Sequence, residues 1–229
     1  MQLRFSHPWV VDSRQGAAIQ RELAEAVRLE RACGPVSHIA GIDCGFRNGG
    51  TRVCAAVTRF TWPGLEFVES HRVYRPVEMP YRPGLLSFRE LPAVLDALAG
   101  LSEPADLILC DGQGIAHPRR LGIAAHLGVL LDRPALGVAK SRLVGEHAPV
   151  GERRGAAAPL YAGEERIGTV LRTRDRVRPV YVSPGHRLDC ATAAEWALAC
   201  CTRYRLPEPI RKADHLAAKA SDPVMQEQS

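Results

Sequence analysis

Lysine is nearly missing from this 229-residue chain: Lys140, Lys212 and Lys219 stand against 27 arginines. A codon bias accounts for most of the arginines, but the scarcity makes the placement of each lysine informative. Long apolar runs are missing too. No stretch approaches the roughly 18 residues of a membrane span, and the opening Met-Gln-Leu-Arg-Phe-Ser-His-Pro lacks the charged-then-apolar order of a signal peptide. No membrane contact is expected, and the expected location is the cytoplasm. The seven cysteines are odd in number and include no Cys-x-x-Cys pair. That argues against a disulfide framework and a thiolate zinc site. Cys44, Cys54, Cys110 and Cys190 lie in or beside apolar runs and read as small buried thiols. What is present is a net charge of +5 and a pI of about 9.0, compatible with a nucleic-acid partner.

The length suits one domain. A first helix is expected over 13–32, with Ser13 as N-cap and Ile19, Leu23, Ala26 and Val27 on one face. Gly34-Pro35 ends it. Strands are expected at about 37–44, 52–60 and 66–75. The turns Arg47-Asn48-Gly49-Gly50 and Trp62-Pro63-Gly64 are short enough to require antiparallel neighbours. The pattern then alternates: a helix at about 89–100, a strand at 106–111, a helix at about 119–130 and a strand at 134–139. Alternation implies parallel pairing with crossovers. Further strands are expected at 159–162, 166–174 and 178–183, then helices at about 190–202 and 210–220, with 221–229 as a flexible tail. The fold class is therefore α/β, a mixed sheet of three antiparallel strands followed by a parallel βαβ half, flanked by helices, in a single domain over 1–220. In such a sheet the first strand can lie beside the fourth, and ligands sit at carboxyl ends where the strand order switches. That places Asp43 near Asp111.

Asp43 lies within an otherwise apolar strand, "HIAGIDCGF", and Asp111 ends the apolar run Leu107-Ile108-Leu109-Cys110. A buried carboxylate is costly unless it is paired or binds a metal. Strands lie roughly 4.8 Å apart, so two such groups can share a cation. Glu90 in "LLSFRELPAVL" has two readings that this segment leaves open. It is either the last member of a Ser87 capping box, or it stands near a helix start that better suits Pro92. Asp214 in "IRKADHLAAK", read alone, is a surface acid pairing with Arg211 three residues back. Lys140 closes the strand Ala135–Ala139, where it can hold a phosphate or activate a water. The "GQGIAHP" stretch fails as a dinucleotide loop, because His117 stands where a third glycine is needed. Pro118 fits the first turn of the next helix, which sets His117, Arg119 and Arg120 at a helix N-terminus, a favourable place for anions. Pro80, Pro83 and Gly84 stiffen a loop around Tyr81, whose ring can fill a gap in a duplex. "GHR", with His186, weakly echoes the same theme.

In order, "GIDCGF", "PYRPGLLSFRE", "DGQGIAHPRRLG", "GVAKSRL", "GHR" and "YRLPEPIRKAD" resemble the endonuclease V family of inosine-directed nucleases. The resemblance spans about Ser37 to Asp214. It implies an RNase H-like fold and a metal-dependent phosphodiesterase that recognises deoxyinosine and nicks at the second phosphodiester bond 3′ to the lesion. It makes Asp43, Glu90 and Asp111 the catalytic metal-binding acids, with Asp214 a further acidic position and Lys140 the catalytic lysine. It makes Tyr81 the wedge and sets Gly84, Leu86, Gly112, Gly114, Ile123 and Gly137 around the lesion pocket, with His117 a site contact. Gln113 departs from many members.

The mechanism expected is Mg²⁺ on Asp43 and Asp111 with Glu90 completing the site, Mn²⁺ being a substitute. Lys140 then positions or deprotonates the attacking water, or offsets charge on the phosphate. The partner expected is DNA containing deoxyinosine, and the enzyme a monomer. The alternatives are an endonuclease V-type ribonuclease on inosine in RNA, another RNase H-like structure-specific nuclease, and a non-catalytic nucleic-acid-binding module. The last would lack an acid, and here each acid is present.

Overall fold

A computed structural model describes residues 3–31 and 34–218. The tail expected at 221–229 lies outside the described residues. Eight strands form one sheet in the order β3-β2-β1-β4-β5-β8-β7-β6. They are β1 (His38–Arg47), β2 (Arg52–Thr61), β3 (Phe67–Pro76), β4 (Leu107–Asp111), β5 (Ala135–Ala139), β6 (Ala157–Ala162), β7 (Glu165–Leu171) and β8 (Val180–His186). The first three form the expected antiparallel meander, and β1, β4 and β5 run parallel. The first strand does lie beside the fourth. This is an RNase H-like sheet, which β8, β7 and β6 extend by antiparallel pairing beyond β5.

Alternation along β4 sets the two faces. Leu107 and Leu109 join one core with Ile39, Leu136, Val138 and Ile210, covered by α4 (Cys190–Ala199) and α5 (Glu208–Ala218). Ile108 and Cys110 join the other with Ile42, Val57, Leu91, Val94 and Leu127, covered by α2 (Leu86–Ala99) and α3 (Ile123–Leu131). Each fully buried leucine contributes roughly 1.5–3 kcal/mol. The start of α5 is fixed on β2 by Thr58, whose Oγ1 donates to the Pro209 carbonyl at 2.9 Å. No described helix is long and apolar enough to cross a membrane.

Three helix boundaries differ from expectation. The first helix, α1 (Ser13–Glu25), is capped by Asp12 rather than Ser13, in a reciprocal box with Gln15, and stops well short of 32. Beyond it, the Arg28 guanidinium is drawn to Asp132 at 2.7 Å and the Arg28 N–H to His186. α2 begins at Leu86, so neither reading of Ser87 and Glu90 holds. Ser87 caps nothing, and Pro92 sits inside the helix. α3 begins only at Ile123 with Gly122 as N-cap. His117, Arg119 and Arg120 therefore occupy the turn before α3, not its N-terminus.

Candidate active site

Register assembles the acids. Ile42 pairs with Cys110, and Asp111 pairs with Val138, so Asp43, midway along β1, comes level with Asp111 and Lys140 at the carboxyl ends of β4 and β5. α5 brings Asp214 from the opposite face. Single oxygens of Asp43, Asp111 and Asp214 all lie within 4.8 Å of one another, the one such set among the described residues. Asp214 does not pair with Arg211, which turns to Glu208 at 2.8 Å. It pairs instead with Lys140, whose Nζ lies 2.5 Å from Asp214 Oδ1 and 2.7 Å from Asp111 Oδ2. Glu90 falls outside the 4.8 Å set but is buried beside it on α2 and interacts with Asp43 and Asp111.

These carboxylates disfavour one another's charge. Burial, then Asp111, pushes Asp43 up to about 7, with Lys140 opposing. Burial, then Asp43 and Asp111, pushes Glu90 up to about 8. Burial raises Asp111 despite its bond to Lys140. A set of hard oxygen donors with excess negative charge fits a divalent cation such as Mg²⁺ or Mn²⁺. Lys140 fares differently. Burial lowers it, but Asp111 and Asp214 outweigh that and hold the ammonium above its ordinary range. So held, the ammonium donates to both carboxylates.

Next to the acids opens a cavity of about 530 Å³, within the size range of small-molecule sites. Tyr81, Gly84, Leu86, Glu90, Asp111, Gly112, Gln113, His117 and Ile123 line it, as do Ser87, Arg119 and Leu143, which sequence reasoning did not place there. Tyr81 is 66% exposed at its mouth. Gly84 has φ +76, a left-handed conformation that favours glycine, and a Cβ there would displace the Arg119 guanidinium, whose Nη2 would lie 2.4 Å away. The Gly84 carbonyl accepts from Arg119 Nη2 (2.8 Å) and from Gln20 Nε2 (2.9 Å). Gln20, fully buried on α1, also reaches Leu121 O, and no local signal in the sequence marks it. His117 accepts at Nδ1 from the Arg119 N–H. Burial, then Arg119, lowers it to about 4, so it is neutral.

Gly114 and Gly137 are not on the cavity wall. A Cβ on Gly114 would lie 2.0 Å from the Pro184 carbonyl, and one on Gly137 would lie 2.4 Å from the Gly112 carbonyl. They let the 111–114 loop rest directly on β5 and β8, and so set the cavity floor from beneath. Gln113 donates from Nε2 to the Ser141 carbonyl at 3.1 Å, tying that loop to the segment after Lys140. His186 is not in the site at all. It pairs with the start of β5, opposite Ala135, at the other end of the sheet from Lys140. There it is buried against Asp132.

Ser87 ends a buried relay. The His7 Nδ1 proton goes to the Pro8 carbonyl (2.9 Å), so neutral His7 accepts at Nε2 from His126 Nε2 (2.8 Å). His126 Nδ1 then accepts from Ser87 Oγ (3.0 Å). Burial lowers both histidines, His126 well below its ordinary value, so both are neutral. The chain fixes this cavity-lining residue to the N-terminal segment.

The Endonuclease V family model matches residues 21–215. The Endonuclease V of Alkalilimnicola ehrlichii is 53% identical over 223 residues, 97% of this chain and 98% of its own length. The crystal structure of Endonuclease V from Streptomyces avermitilis is 40% identical, with a TM-score of 0.87 over 95% of this chain and 96% of that one. Endonuclease V of Ciona intestinalis, solved with a 24mer DNA containing an inosine followed by a ribo-adenosine, is 25% identical, with a TM-score of 0.77 over 88% of this chain and 94% of that one. A family model over most of the chain and relatives of this identity and coverage agree, and this protein belongs to the Endonuclease V family of nucleases.

Proposed function

We propose that this enzyme recognises deoxyinosine in DNA and nicks the same strand at the second phosphodiester bond 3′ to the lesion, using Mg²⁺, with Mn²⁺ able to substitute. The observation that carries the reading is the contact between a cavity large enough to admit a base and an electrostatically frustrated acid cluster, sharing Glu90 and Asp111. The Ciona relative bound to inosine-containing DNA supports the choice of base.

Asp43, Asp111 and Asp214, with Glu90 beside them, hold the cation, which stabilises phosphate charge and activates water when bound. Lys140 donates to Asp111 and Asp214, steadies the cluster and offsets phosphate charge. Lys140 also stands where it can position or deprotonate the attacking water. Extruding a base costs a few kcal/mol, and least where pairing is weak. Tyr81 occupies the gap it leaves. His117, neutral and bonded to the Gly84 backbone, stiffens the wall where the base lies. The cavity and the acids come from one chain, which supports action as a monomer.

The test is a nicking assay on matched DNA and RNA strands carrying one inosine, with and without Mg²⁺. Cleavage of the DNA strand at the second bond 3′ to inosine, dependent on metal, is expected. Tyr81→Ala should raise KM for that strand. Preference for the RNA strand would replace the substrate, and cleavage of undamaged four-way junctions alone would replace the reading.

A further inference from the structure

The β7–β8 connection, residues 172–179, reads Arg-Thr-Arg-Asp-Arg-Val-Arg-Pro. Its position follows from register. Leu171 lies opposite Val180, and Tyr181 lies opposite Ala139, so the connection sits at the same end of the sheet as Lys140. The cavity flanks the acids on the side of α2 and α3. The arginine connection flanks them on the side of β8 and β7.

Its four arginines divide sharply. Arg172 is spent on the fold, with Nε on the Gly151 carbonyl (2.9 Å), Nη2 on the Val150 carbonyl (3.1 Å) and Nη1 on the Val177 carbonyl. The backbone is stapled in place as well. The Arg176 N–H donates to the Glu152 carbonyl at 2.8 Å, and the Arg154 N–H to Asp175 Oδ1 at 2.6 Å. That last bond draws the connection's single carboxylate toward backbone. Arg174, Arg176 and Arg178 are exposed, and none of them enters a side-chain hydrogen bond or an ion pair among the described residues.

A link joins this rigid loop to the catalytic end. Arg205 Nη2 donates to the Lys140 carbonyl at 2.8 Å and to the Pro179 carbonyl at 2.9 Å. Its guanidinium interacts with Asp111 on one side and with Arg178 on the other. Arg205 therefore ties the backbone at Lys140 to the backbone just after Arg178, with its charge between Asp111 and Arg178. Three exposed guanidiniums at alternate positions of a fixed loop present positive charge that an anion can meet.

We infer that Arg174, Arg176 and Arg178 form a landing track for phosphates of the nucleic acid, gripping the strand 3′ of the nick after it has passed the acids. The inference rests on the proposed lesion reading for its direction, since the base lies in the cavity and the cut is 3′ to it. Its electrostatic content does not depend on that reading. Phosphate contacts act on undamaged DNA too, and each contributes about 0.9 to the slope of log affinity against log salt.

The experiment compares wild type with the triple variant Arg174→Ser, Arg176→Ser, Arg178→Ser. Binding to an inosine duplex and to its undamaged counterpart is titrated without metal at several salt concentrations. The three side chains hold nothing together, so an unchanged Tm shows an intact fold. The variant's salt slope should be shallower by about 2–3 on both duplexes. Shortening the duplex on the 3′ side of the lesion should erase the difference from wild type, and shortening it on the 5′ side should preserve it. An unchanged slope on both duplexes overturns the track. A shallower slope whose difference vanishes only with 5′ shortening overturns its placement. Because the undamaged duplex reads the track alone, failure of the inosine reading in the nicking assay stays separate from failure of this one.

Discussion

Asp43 and Asp132 lie toward opposite strand ends of one sheet, in opposite surroundings. Asp132 follows α3 in a left-handed conformation, just before β5. Its carboxylate takes Arg187 (2.9 and 3.0 Å), Arg28 (2.7 Å), Arg4 (2.9 Å) and His186 (3.0 Å). Arg187 first, against a burial penalty, with help from His186 and Arg28, holds it well below the usual carboxylate range. Asp43 has the carboxylates of Asp111, Asp214 and Glu90 as neighbours with Lys140 opposing them, and it is pushed up to about 7. The first aspartate gathers the chain. The second sits where the fold is unfavourable to its charge, and only a function explains its retention. An acid with surplus cations is a clamp, and acids with a deficit of cations form a site that awaits one.

The largest break in that comparison is Asp43→Asn. It removes a ligand charge and should lower inosine nicking by several kcal/mol of transition-state stabilisation, about a thousandfold or more. The same change removes repulsion with Asp111, so the metal-free variant should melt higher than wild type near pH 8. Full nicking activity would sink the metal assignment, and a lower Tm would sink the frustration argument.

Next comes pH. Asp43 and Glu90 bind protons more tightly folded than unfolded, so the native state carries extra protons between roughly pH 4 and pH 8. Stability of the metal-free protein should therefore fall as pH rises through that window. Ligands must be deprotonated to bind metal. Millimolar Mg²⁺ should raise Tm more at pH 8 than at pH 6, as differential scanning fluorimetry can measure. An equal gain at both values would show that these carboxylates are not the ones the metal engages.

The two ends of the sheet were not equally legible in the sequence. Asp43 lies within an apolar strand and Asp111 ends one, and topology rules bring such strands together, so local pattern plus one fold rule located the acids. Lys140 followed from its rarity. Long-range bonds hid the rest. Ser87 looks like a helix cap because the sequence does not show His126, 39 residues on, taking its hydroxyl. Gln20 looks like any helix-surface residue, yet it holds a carbonyl 64 residues away. The first helix was read too long because apolar spacing does not reveal that Asp132 draws off Arg28. His186 was read with the site because "GHR" follows a strand, and only the antiparallel register of β8 sends it to the other end.

The smaller effects belong to the clamp. Asp132→Asn should cost about 1–2 kcal/mol, because its hydrogen bonds are charge-assisted but partly exposed. That is a few degrees of Tm in a domain of this size. A depressed carboxylate contributes its stability above its unfolded value near 4 and loses it only in acid. The deficit of Asp132→Asn should accordingly be flat from pH 5 to pH 9, where Asp43→Asn changes sharply. Smaller still is His186→Gln. The imidazole is buried and neutral, accepting at Nδ1 from the Arg28 N–H (3.3 Å) and donating from Nε2 to Asp132. Glutamine can retain the bond to Asp132 but not both contacts, so Tm should fall by less than in Asp132→Asn while KM for an inosine duplex stays at the wild-type value. A raised KM at unchanged Tm would return His186 to the substrate and show that the two ends of the sheet are coupled through it.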